Sequence, residues 1–80
     1  MVREHSSWAL AERHVIAGEE RVQRLRQLVA EMERRGEREA AVSTRKTLAL
    51  CEQTLTLMRE HLTYLQRHNR LADTELHFSA

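Results

Sequence analysis

The sequence predicts an all-α fold: an antiparallel two-helix hairpin, coiled-coil-like, that dimerises into a four-helix bundle. Three observations carry that expectation. From Leu48 to Leu76, the residues Leu48, Cys51, Leu55, Met58, Leu62, Leu65, Asn69, Ala72 and Leu76 recur in alternating steps of three and four. That spacing keeps one stripe of a helix turned towards a neighbour. An earlier stretch repeats it through Trp8, Ala11, Val15, Gly18, Val22, Leu25, Val29 and Met32, with Gly36 between the two. Finally, Leu, Ala, Glu, Arg and Gln are abundant, Pro is absent and Gly occurs twice, which is the composition of long helices.

The first helix is expected over about residues 7–35. Ser6 or Ser7 can accept a bond from a free first-turn N–H, although neither is followed by Glu or Gln at the capping-box position. Glu12, Arg13, Glu19, Glu20, Arg26, Gln27, Glu33 and Arg34 fall on e and f sites, facing water. Gly18 in mid-helix costs roughly 1 kcal/mol against Ala; close approach of a second helix would offset that cost, and the alternative reading is that Gly18 simply weakens the helix. Arg34-Arg35-Gly36 ends the helix, because Gly takes the left-handed conformation freely and cations suit the last turn.

A turn of about residues 36–38 then forces a second helix, about residues 39–73, to run antiparallel; Ser43-Thr44 is a competing later start. Folding back at Gly36 sets Leu25 near Leu48, Val22 near Cys51, Gly18 near Leu55, Val15 near Met58, Ala11 near Leu62, and Trp8 near Leu65. Val29 completes that seam. Trp8 and Tyr64 come close, each with a polar edge left wet. Residues 74–80 form a C-terminal extension.

A second row, Leu50, Leu57, Tyr64, Leu71 and Phe78, recurs every seven residues outside the seam. It is the expected oligomer interface, since a soluble monomer rarely leaves several hundred Å² of contiguous apolar surface bare. Asn69, amid Leu, can fix register and partner number if buried; the alternative is a frayed or solvated helix end.

Charge and chemistry narrow the function classes. Thirteen basic and twelve acidic residues are mixed along the chain, for a net charge of +1, so no basic footprint for nucleic acid stands out. Arg21, Arg24, Arg26, Arg34, Arg35 and Arg38 form a stripe that acidic neighbours largely neutralise. No window approaches about 18 uninterrupted apolar residues, and the start has no apolar core of signal-peptide length. The expectation is a cytoplasmic protein without membrane or nucleic-acid partners. Cys51 is the one cysteine and reads as a small buried hydrophobe. His14, His61 and His68 occupy g sites beside the seam. His61 and His68 stand about 10 Å apart along the axis, too far to share an ion from one helix. No nucleophile–base pair at a structured turn and no phosphate loop is present, so neither an enzyme nor a cofactor is expected.

The blocks Trp8-Ala-Leu-Ala-Glu-Arg-His14, Gly18-Glu19, Leu28-Val29 and Glu33-Arg-Arg-Gly36 resemble a pattern in short proteins of alpha-proteobacteria. Leu48-Ala-Leu-Cys-Glu-Gln-Thr-Leu-Thr-Leu57 and Arg59-Glu-His61 resemble that family's second helix. The likeness covers about residues 8–67, with two extra residues after Gly36 and a longer C-terminal end here. It implies the hairpin and brings no activity and no functional residues. His61 is also similar in setting to the phosphoacceptor of sensor-kinase dimerisation hairpins, but it lies on the second helix and the motif's Pro is missing. The sequence therefore leads to a non-enzymatic, self-associating interaction module that is a homodimer with an unknown protein partner. Two alternatives stand beside it. One is a small-molecule, haem or metal carrier built in the bundle core, and the other is a nucleic-acid or membrane-surface binder.

Overall fold

The computed structural model describes the backbone of residues 3–79 and the side chains of residues 8–68. Two helices, α1 (Arg3–Arg34) and α2 (Arg38–Ser79), pack against each other and no strand occurs among the described residues. The molecule measures 65 × 20 × 13 Å, with a radius of gyration of 18.5 Å. A compact chain of this length has a radius of gyration of about 12 Å. The shape is thus a thin two-helix slab.

Several boundaries differ from expectation for identifiable reasons. The first helix starts at Arg3 rather than at a serine cap, so Ser6 and Ser7 lie inside it. No Gly or Pro precedes them to stop the helix, and Arg3 and Glu4 are good helix formers. The second helix begins at Arg38, within a residue of the expected start and not at the competing Ser43-Thr44, but it continues to Ser79. Residues 74–79 are helical rather than a separate extension, because that stretch too lacks a breaker.

The reversal of direction is built on Gly36, whose φ of 75° lies in the left-handed region. Its N–H donates to the Glu33 carbonyl at 3.1 Å, while the Glu37 N–H reaches back to the Met32 carbonyl at 2.9 Å. This pair of bonds is the Schellman arrangement, and it satisfies two carbonyls that the end of α1 would leave open. The Glu37 carbonyl then accepts from the Ala41 N–H at 2.9 Å and starts α2. Arg34 in the last turn of α1 and Glu39 in the first turn of α2 both complement the helix dipoles.

The core is one residue thick. Val15, Val22 and Leu55 are buried at its centre, with Leu48, Cys51, Met58 and Leu62 packed against them. Val29 and Ala41 are buried towards the turn, where the Thr44 hydroxyl donates to the Met32 Sδ at 3.4 Å. Trp8, Leu25 and Leu65 are half-buried. Gly18 is buried, and a Cβ there would stand 3.1 Å from the Leu55 Cδ1 and 3.2 Å from the Met58 Cε. The helices therefore approach closely at that level. Among the described residues, no side chain larger than Ala41 is enclosed completely, because two helices leave the outer side of each stripe open.

Candidate interaction face

The two flanks of the seam differ in chemistry. Three ion pairs cross one flank: Glu19–Arg59 at 2.9 Å, Arg26–Glu52 at 2.8 Å, and Glu33–Arg45. On each helix these residues sit on e sites one heptad apart, and their signs alternate from rung to rung. Such e sites are expected to face water. They remain largely solvated, yet the antiparallel register sets them opposite one another. Each exposed pair is worth about 0.2–1 kcal/mol, so the ladder contributes more to register than to stability.

The other flank carries g and c sites. Its α2 side holds the leucine row and no Lys, Arg, Asp or Glu on those sites from Thr47 to His68, while its α1 side carries Arg21, Arg24, Glu31 and Arg35 as well as Leu10 and Leu28. Leu50 is 64% exposed, Leu57 63% and Tyr64 61%. On α1, Leu10 and Leu28 occupy c and g sites of the same flank and are exposed as well. Together these five side chains leave on the order of 500 Å² of surface bare, with Arg21 and Arg24 between Leu10 and Leu28 on the same flank. Ile16 and Val42 are also exposed but fall on b sites, towards the ladder. Leu71 and Phe78, expected to extend the row, lie outside the described side chains, as does Asn69.

An open groove of about 250 Å³ runs along this flank, between Ala11 and His14 of α1 and Thr54, Leu57, Met58 and His61 of α2. His14 and His61 thus border one depression beside the exposed leucine row. Tyr64 stacks on His68, one turn away, with ring centroids 5.8 Å apart and planes 11° apart. The wet edge expected for Trp8 is absent: its indole N–H is enclosed and meets no acceptor among the described residues. α1 continues beyond Trp8 to Arg3, so the indole lies within the helical stretch rather than at a frayed start. Cys51 is a half-buried free thiol in the seam.

Of the arginine stripe, Arg26 pairs with Glu52 and Arg35 with Glu31. Among the described residues of the single hairpin, no three His, Cys, Asp or Glu side chains gather closely enough to hold a metal ion. None of the described helices is long and apolar enough to cross a membrane.

Sequence reasoning finds the leucine row but misses three features. Ala41 belongs to the core one heptad before Leu48, where the repeat could have been extended. Leu10 and Leu28 join the exposed face from α1, which follows once the flanks are sorted by heptad letter. The ladder is present as alternating charge at heptad spacing, and only the fold-back register turns it into pairs. Comparison with protein-family models, curated proteins and solved structures finds no match to the chain.

Proposed function

We propose that this chain is a non-enzymatic interaction module that associates with a second copy of itself, two hairpins stacking through the flanks that carry the leucine row into a four-helix bundle. The observation that carries this reading is the heptad-spaced row of Leu50, Leu57 and Tyr64, each more than 60% exposed, with Leu10 and Leu28 exposed on the same flank of α1. The surface balance supports it. The chain exposes 6692 Å², whereas a compact monomer of its 9.4 kDa mass exposes about 5000 Å². A standard interface buries about 800 Å² on each partner, so one such contact removes about half of the excess. A second copy is the favoured occupant because a two-fold axis sets the same flank against itself, while the charged ladder flank stays in water.

The test is the solution mass. Leu57→Glu places a carboxylate at the centre of the exposed row without touching the buried seam. Sedimentation velocity is expected to give a dimer for the wild type and a monomer for the variant, with helix content largely retained by circular dichroism. A wild-type protein that stays monomeric and fully helical at high concentration would refute the reading. So would a variant whose mass is unchanged.

A further inference from the structure

We propose that the paired bundle holds one divalent transition-metal ion on the imidazoles of His14 and His61 from both copies. The inference rests on the self-association reading above and adds a ligand to it.

The starting observation is that His14 of α1 and His61 of α2 both line the same open groove. The rest of its lining is Ala11, Thr54, Leu57 and Met58, with no charged side chain. Both histidines are exposed in the single hairpin, and both lie on the flank that pairing covers. On the g and c sites of α1 the nearest charges are Arg21 and Arg24, about 10 and 15 Å further along the axis, and the hairpin's own register, repeated between copies, sets Arg24 opposite the second copy's Leu50. Pairing would therefore enclose the two imidazoles among apolar neighbours.

A two-fold axis along the length of the hairpins brings the histidines together. Each helix then has only antiparallel neighbours, the usual arrangement of up-and-down bundles. α1 of one copy lies over α2 of the other at the same level as in its own hairpin. Leu10 meets the second copy's Tyr64, and Ala17 meets the second copy's Leu57. His14 meets the second copy's His61, and the two-fold axis repeats that pair. Four imidazoles converge on one layer of the core.

Imidazole nitrogen is a good donor for Zn²⁺, Cu²⁺ and Ni²⁺. Zn²⁺ takes four such ligands tetrahedrally, with Zn–N distances of about 2.0–2.1 Å. One hairpin supplies two ligands, too few for a closed site, so the metal depends on the second copy. The Thr54 hydroxyl in the same groove can accept the second ring N–H of a ligating imidazole, the kind of contact that orients metal-binding histidines. His68 is stacked on Tyr64 and takes no part.

The experiment uses the full chain, with zinc chloride as the probe. Sedimentation in EDTA and in stoichiometric Zn²⁺ is run for the wild type, for the His14→Gln/His61→Gln double variant, and for His68→Gln. Calorimetric titration gives stoichiometry, and Co²⁺ substitution gives a visible spectrum that reports tetrahedral geometry. One ion per two chains, with self-association tightened about tenfold or more, is expected for the wild type and for His68→Gln but not for the double variant. A dimer in EDTA that binds no Zn²⁺ would overturn the metal site and leave the module standing. The metal site falls equally if the double variant binds Zn²⁺ as the wild type does, or if binding needs only one chain. A protein monomeric in both EDTA and Zn²⁺ would sink both proposals.

Discussion

Gly18 tests the closeness of the two helices most directly. It is buried in the middle of α1, where glycine costs about 1 kcal/mol relative to alanine. Gly18→Ala recovers that amount. The new methyl would meet the Leu55 Cδ1 at 3.1 Å and the Met58 Cε at 3.2 Å, both tighter than ordinary contact. Both atoms are side-chain ends, and Met58 is only half-buried, so its flexible tip can retreat. Leu55 is only 5% exposed and has less room to move. The two terms nearly cancel, and Gly18→Ala is expected within about 1 kcal/mol of the wild type. Gly18→Val adds two further methyl groups to the same space. Its smaller helix-propensity gain, about 0.4 kcal/mol, cannot offset overpacking of about 1–3 kcal/mol. Urea denaturation followed by circular dichroism, at one fixed protomer concentration, reads both. A valine variant as stable as the alanine variant would show that the helices do not approach closely at Gly18. In a cycle with Met58→Ala, the valine penalty should shrink, because the truncated side chain vacates the contested space.

Two further outcomes follow from the turn and from the ladder. Gly36→Ala should cost about 1 kcal/mol, measured by the same denaturation. No atom lies within 4 Å of the new methyl, so the cost comes entirely from a side chain held at φ 75°. Arg26→Glu should lower stability by about 0.5–1 kcal/mol by setting like charges together, and adding Glu52→Arg should restore it. The restored difference should fade in 1 M salt; if it persists there, the rung acts through packing rather than charge.

The hairpin is legible because its signals are local. Steps of three and four mark each stripe, and Gly36 marks the reversal without reference to anything distant. What escapes depends on register or on missing stop signals. Glu19, Arg26 and Glu33 look like solvated e sites until the length of the turn sets Arg59, Glu52 and Arg45 opposite them. Ser6 and Ser7 look like caps, yet a serine caps only where the chain before it leaves the helix, and Arg3–His5 gives it no reason to leave. The α2 part of the apolar face is readable as a heptad row. Its α1 part is harder to see, because Leu10 and Leu28 occupy different heptad letters, c and g, and share a flank only once the letters are sorted by side.

The alternating rungs have a consequence for exchange between molecules. Sliding one helix by a heptad sets Glu19 opposite Glu52 and Arg26 opposite Arg45, so the pattern rejects a slipped pairing. It does not distinguish α2 of the same chain from α2 of another, since a borrowed helix would present the same charges in the same order. Only the tight bend at Gly36 keeps the two partners within one molecule. A chain that straightened there could trade helices with a neighbour and still display the same greasy flank.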